Sequence, residues 1–323
     1  MNSIIIIAEK EWEDILHNKV FTFIVVMLAI LTVTSLIVSF LVFNNQSGEY
    51  RQALDMLKQL GKRPAIPPPK LYPLNLLRGV VDYIEIVGAI LGMLLGYISI
   101  SKERNTRALD LILTRPVKKR DIVFGKILGN IIYVVVLMSI VCVITVLSIY
   151  LIGGVTLNRL ALFKILLFGL ISTIYILLFF LLSIFFSLSS KTMSHALIFS
   201  FITWLVIVLI LPQVGDTMDP DNQVPGGFFK SMSLNKAQEK QVLAKFSGYE
   251  ARRGFIEQLS ITKHYERFSF AIFGIKKIYN DKSLSTILHD KAGDILWIIL
   301  STITVFLADC LLMVKRPYCL EGD

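Results

Sequence analysis

Charge is scarce in this chain. Of its 323 residues only 18% are Asp, Glu, Lys or Arg, while 54% are hydrophobic; a soluble domain carries about 25% charged residues. Cysteine is scarcer still. Cys142 and Cys310 fall within apolar runs and Cys319 near the C-terminus, so no disulfide framework is expected. Catalytic signatures are missing: there is no H-E-x-x-H, no paired aspartate cluster for a diphosphate-bound metal, and no G-x-S-x-G. The four histidines, His17, His195, His264 and His289, are scattered rather than spaced as ligands. No G-x-x-x-x-G-K-[ST] loop is present either, since Gly125-Lys126 is followed by Ile127 and lacks the upstream glycine. The chain is therefore not expected to be an enzyme or to hold a metal or cofactor, and energy for any pumping must come from another subunit.

What is abundant is apolar sequence gathered into long blocks. Six qualify as spans, at Val20–Phe43, Gly79–Ile100, Ile127–Ile152, Leu160–Leu188, Ser194–Leu211 and Ile295–Val314. A helix needs ~20 apolar residues to cross a ~30 Å hydrocarbon layer, so the pattern predicts an all-α polytopic membrane protein. Lys164 falls in the first turns of the fourth block, where its amine is expected to snorkel to the interface. The net charge of +9 is spread over several loops and fits span-flanking Lys and Arg, so no nucleic-acid partner is expected.

Six spans put both termini on one side. The short loops on that side, above all 102–126, carry more Lys and Arg than those opposite, which predicts cytoplasmic termini in a multi-pass protein of the cell membrane. Ser3–Lys19 reads as an amphipathic helix lying in the interface, with Ile4, Ile7, Ala8, Trp12, Ile15 and Leu16 at helical spacing. On the opposite side, 44–78 reads as a short amphipathic helix (Tyr50, Leu54, Leu57, Leu60) followed by a proline-stiffened return, and about 213–293 as a small helical region. The expected organisation is an interfacial elbow over 1–19, spans one to five over 20–212, an extracytoplasmic helical region over 213–293, and the sixth span with its tail over 294–323.

Within the spans, Gly88, Gly92 and Gly96 are spaced four apart, as are Gly125 and Gly129; each set lets another backbone approach, within the subunit or across a dimer seam. Asp82, Glu85 and Asp309 are the intramembrane polar candidates, all near an interface. The segment Lys102–Lys126 stands out: Glu103–Leu113 is a short amphipathic helix with Leu109, Ile112 and Leu113 on one face, broken at Arg115-Pro116. Such a helix between two spans suits docking into a groove on a soluble partner; a solvated hairpin touching anionic lipid is the plain alternative.

Glu103-Arg104, then Leu109-Asp110-Leu111-Ile112-Leu113-Thr114-Arg115-Pro116 and Asp121-Ile122-Val123-x-Gly125-Lys126, resemble the segment after the second span of type-2 ABC exporter permeases. Ala8–Lys19, with Glu9, Trp12 and Lys19, is similar to that family's interfacial elbow, and Ser260-Ile261-Thr262-Lys263-His264-Tyr265 resembles a motif preceding its last span. Arg107 and Ala108 replace a usual Gly-Thr. The resemblance implies a permease that pairs with a second, identical or different, permease copy and with cytosolic ABC ATPase subunits that hold ATP and Mg. Lys102, Glu103, Arg104, Arg107, Leu109, Asp110, Leu113, Arg115 and Pro116 would then form the ATPase-coupling segment. The chain most resembles the subgroup associated with multicopper-enzyme maturation, although Met218, Met232, His264 and His289 are not clustered. A non-transporting scaffold that recruits a cytosolic complex through 102–126 is the alternative from another class.

Overall fold

A computed structural model describes residues 3–59, 72–105, 119–219, 227–280 and 282–315. Helix is the only regular structure among them. In chain order the α-helices are α1 (Ser3–Leu16), α2 (Lys19–Gln59), α3 (Arg78–Tyr83), α4 (Ala89–Asn105), α5 (Lys119–Gly153), α6 (Arg159–Ser189), α7 (Met193–Trp204), α8 (Leu211–Thr217), α9 (Phe228–Ser231), α10 (Lys236–Lys245), α11 (Ser247–Leu259), α12 (Ile261–Phe273), α13 (Leu284–Asp290) and α14 (Ala292–Lys315). A 3-10 turn, Pro73–Leu77, leads into α3, and single π-helical stretches, Ile84–Gly88 and Leu205–Ile210, join α3 to α4 and α7 to α8.

Six of the described helical segments are long and apolar enough to cross a membrane: Lys19–Gln59, Pro73–Lys102, Phe124–Gly153, Arg159–Ser189, Met193–Thr217 and Ala292–Leu312. They coincide with the six apolar blocks, and most of the side chains uncovered along those blocks are apolar; Phe23, Val143, Leu166, Ile202 and Leu307 are each more than half exposed. An apolar surface on this scale is a lipid-facing one. The first span differs from expectation. Its helix does not stop at Phe43 but continues to Gln59, roughly 60 Å in all. No glycine-proline break interrupts Asn44–Gln59, and Tyr50, Leu54 and Leu57 lie on one half-buried stripe of the same helix.

Local chemistry ends the other spans. Gly154 takes a left-handed backbone (φ 60°) and its N–H bonds the Tyr150 carbonyl, closing α5. Asn158 then caps α6 by accepting from the Ala161 N–H at 2.8 Å. Thr192 caps α7 through the His195 N–H, which leaves only Ser190–Thr192 between the fourth and fifth spans.

The chain forms two compact units. The first comprises Met1–Gly88, Val117–Ile174 and Phe268–Ala292; the second comprises Ala89–Pro116, Tyr175–Arg267 and Gly293–Asp323. In the first, α1 lies along α5, and α2 packs on both α5 and α3. At the α2–α3 contact a Cβ on Gly79 would sit 2.2 Å from the Ser35 hydroxyl. In the second, α4 packs on α7 and α11 on α8. Gly92 and Gly96 meet the backbone of α6 there: an added Cβ would lie 2.3 Å from the Ile176 carbonyl oxygen and 2.4 Å from that of Phe180. This glycine pair therefore serves packing within the subunit. Gly88 is buried at the end of the first π stretch.

Of the region 213–293, the helices α9 to α13 account for most described residues. The last long helix of this region, α12, ends at Phe273. Gly274 adopts φ 70°, a conformation an L-residue resists, and turns the chain.

Candidate functional site

Two clusters of polar side chains are built into otherwise apolar surroundings, one in each unit. The first joins α1 to the start of α5. Ile4, Ile7, Ala8, Glu11 and Ile15 recur every three to four residues and turn one face of α1 toward the protein, while Ile5, Ile6 and Leu16 remain exposed on the other. The facing surface of α5 is made of glycine. A Cβ on Gly125 would lie 2.7 Å from Ile7 Cβ, and one on Gly129 2.7 Å from the Ala8 carbonyl oxygen, so the two backbones are in contact.

Between those glycines Lys126 donates to Glu11 Oε1 at 2.6 Å, with the side chains 2% and 8% exposed. Asn130 Nδ2 donates to the Lys126 carbonyl at 2.9 Å. Trp12 then meets the Tyr133 ring edge-on at 6.3 Å, and Phe21 at the start of α2 closes on the same ring. Of the three elbow residues expected, Trp12 is thus in the seam, whereas Glu9 and Lys19 are exposed. Glu11 escaped sequence reasoning, although its place four residues from both Ile7 and Ile15 put a carboxylate on the buried stripe.

The second cluster is the motif Ser260–Tyr265, where each polar side chain reaches a different neighbour. Ser260 accepts from the Lys263 N–H to begin α12 and donates to the Ile207 carbonyl in the fifth span. The Thr262 hydroxyl lies 3.3 Å from the Tyr175 hydroxyl in α6, and Tyr265 stacks on that ring at 4.4 Å. Lys263 pairs with Asp216 of α8 and with Glu266. His264 Nδ1 lies 2.6 Å from Asp294 of α14, its Nε2 3.0 Å from the Gln258 carbonyl, and its ring is beside Trp297. Both ring nitrogens face protein acceptors, which commits His264 to structure rather than to a ligand. One helical turn thereby ties together the fourth, fifth and sixth spans.

A charge network extends it. Arg253 of α11 pairs with Asp219, Glu250 and Glu257, and Glu257 also pairs with Arg267. Burial works against the charge on Arg253, but Asp219, Glu257 and Glu250 outweigh it and hold the guanidinium pKa above its ordinary value. Lys263 is held above its ordinary value the same way, burial being outweighed by Glu266 and Asp216.

A family model described as ABC-2 family transporter protein matches residues 5–316, nearly the whole chain and both clusters. The chain belongs to the ABC-2 transporter family. It is a multi-pass membrane permease, the membrane component of an ABC transporter rather than its ATPase, and it works with an ATPase subunit. No protein of curated description matches the permease.

The remaining expected site residues of the permease fall as follows. Lys102 is exposed near the end of α4, and the helix carries the backbone of Glu103 and Arg104 as far as Asn105. Arg107, Leu109, Asp110, Leu113, Arg115 and Pro116 lie outside the described residues. Asp82 and Glu85 are half-buried where α3 passes into the π stretch. Asp309 is fully buried on α14, and among the described residues neither of its carboxylate oxygens has a hydrogen-bond partner. Lys164 is 7% exposed and lines a cavity of about 250 Å³.

Proposed function

We propose that this chain is the permease subunit of an ATP-driven exporter of the cell membrane, with both termini cytoplasmic. Two permease subunits, identical or different, associate with cytosolic ATPases that hold ATP and Mg, and the substrate path runs where the permeases meet. Lys102, Glu103, Arg104, Arg107, Leu109, Asp110, Leu113, Arg115 and Pro116 form the coupling segment that docks on the ATPase.

The observation that carries this reading is the buried Glu11–Lys126 pair between Gly125 and Gly129. Lys126 closes the 102–126 segment and stands near the start of a 35-residue helix. With α1 locked against it at that point, a push on the segment is delivered to the whole of α5 and to the elbow together, rather than absorbed by a loose joint. Conserving such motion needs rigid elements and a close-packed seam.

Co-purification and charge reversal test it. The native complex should bring down a nucleotide-binding ATPase, and vesicles containing it should move a solute only with ATP. Glu103→Lys combined with Arg104→Glu should reduce ATPase association and turnover while leaving the permease folded. Unchanged association and turnover would remove the coupling assignment. Association without any ATP-dependent movement would favour a recruiting scaffold.

A further inference from the structure

We infer that the cavity around Lys164 is a binding site for the phosphate of a membrane lipid headgroup. It lies within the first compact unit, between the turn leading into α3, the connection from α5 to α6, and the chain that follows α12. Its polar lining consists of Tyr72, Thr156, Asn158, Lys164 and Asn280.

Three observations point to an anion. Lys164 is more than nine-tenths buried and, among the described residues, forms no hydrogen bond or ion pair. Every other buried cation of the permease described above has a carboxylate beside it; this amine has instead an empty volume large enough for a small anionic group. An uncompensated ammonium at such a depth is costly unless something of opposite charge joins it. The cavity also opens on the N-terminal end of α6, with Leu160 and Ala161 in its wall. Asn158 satisfies the Ala161 N–H, and the first turn of any helix leaves further N–H groups without intrahelical partners, so the positive end of a 31-residue helix faces the same space. Lastly, Asn280 Oδ1 is buried without a donor among the described residues, which suits a ligand that carries a hydroxyl or ammonium as well as a phosphate.

The position favours a lipid as the source. The helix α6 is about 46 Å long, some 16 Å more than the ~30 Å hydrocarbon layer, which leaves its first residues at headgroup depth. Farther along the same pair of helices, from Leu162 to Thr173 on α6 and from Val135 to Leu147 on α5, runs an apolar groove of about 530 Å³. Gly169 and Cys142 form its floor, where a Cβ on the glycine would touch the Cys142 sulfur at 2.8 Å. A diacyl lipid whose phosphate meets Lys164 has a groove for one chain alongside. The ligand class is a phospholipid with a donor in its headgroup, such as phosphatidylglycerol or phosphatidylethanolamine; phosphatidylcholine offers the phosphate but no donor.

Thermal unfolding of the delipidated full-length permease in neutral detergent tests the site, with each lipid or inorganic phosphate titrated in. Phosphatidylglycerol or phosphatidylethanolamine should raise the midpoint of the wild type, and phosphatidylcholine should act on the order of ten-fold more weakly. Lys164→Met should weaken the effective lipids on the order of ten- to a hundred-fold, as expected for loss of a charge-assisted hydrogen bond, while Lys164→Arg should retain them. Because the amine has no partner among the described residues, Lys164→Met should unfold without lipid at or above the wild-type temperature, which separates lost binding from lost folding. A midpoint raised by inorganic phosphate alone, through Lys164, would keep the anion site and replace the lipid by free phosphate. Equal responses of wild type and Lys164→Met to every probe would overturn the proposal, as would no response from either.

Discussion

Replacing Lys126 by methionine should undock the elbow. The Nζ–Oε1 distance is 2.6 Å and both side chains are nearly inaccessible, 2% and 8% exposed. Removing one partner of a buried pair strands the other charge in a poorly solvated place, at a cost of about 3–5 kcal/mol. Glu11 would lose this counter-charge while keeping its buried place. The same permease supplies a control: Lys58 and Asp55 are 3.7 Å apart but 66% and 70% exposed, and breaking a pair of that kind costs at most about 1 kcal/mol. Removing both buried charges, Glu11→Leu with Lys126→Met, abolishes the desolvation penalty along with the attraction. The double variant should therefore stand within about 1 kcal/mol of wild type. Unfolding in mixed micelles with increasing SDS measures this, followed by tryptophan fluorescence after Trp204 and Trp297 are changed to phenylalanine. Trp12, 6.3 Å from Tyr133, then reports separation of α1 from α5. A coupling energy between the two sites below about 0.5 kcal/mol, the scatter expected of independent positions, would refute the reasoning.

Three further outcomes are expected. Gly96→Leu should destabilise by at least about 1–3 kcal/mol, the usual cost of overpacking, because a Cβ there meets the Phe180 carbonyl oxygen at 2.4 Å; Gly48→Ala, with nothing within 4 Å, should be close to neutral in the same SDS titration. The Lys263 pairs raise its folded pKa above the ordinary 10.5, so their stabilisation is complete below that pH and is lost as pH rises through the folded value. Thermal midpoints of wild type should therefore fall above pH 10.5 more steeply than those of Lys263→Met, and parallel curves would contradict the assignment. Asp309→Leu, which removes a fully buried carboxylate whose oxygens have no hydrogen-bond partner among the described residues, should leave stability unchanged or raise it; a loss of more than about 1 kcal/mol would mean that the carboxylate is satisfied in the native membrane.

The spans were legible because about twenty apolar residues in a row have one stable arrangement in lipid, and hydropathy alone locates them. Their ends were less so. Past Phe43 the sequence turns polar, but polarity ends a span and not a helix, and nothing in Asn44–Gln59 forbids the α conformation. Glycine spacing announced close packing without naming a partner: Gly92 and Gly96 took the backbone of α6, Gly125 and Gly129 the elbow. The Glu11–Lys126 pair was invisible because its members are 115 residues apart and each sits among other charges in sequence. Lys164 was read as an interfacial lysine free to reach water, a fair inference for a lone helix. Only the tertiary arrangement of Tyr72, Thr156 and Asn280 around it shows that it lines a cavity in the protein.

The π stretch Leu205–Ile210 has a cause and a consequence. Two residues beyond it stands Pro212, which has no N–H to give to the preceding turn and whose ring would crowd the carbonyl four residues back; widening the helix relieves that collision. The Ile207 carbonyl within this stretch accepts instead from the Ser260 hydroxyl. The fifth span therefore has one turn whose ladder is already incomplete and is fastened from the side by a single hydroxyl. Flexing there gives up less hydrogen bonding than flexing anywhere else along the helix. A load applied to the ends of the fifth span will be taken up at that joint, and Ser260 is its clasp.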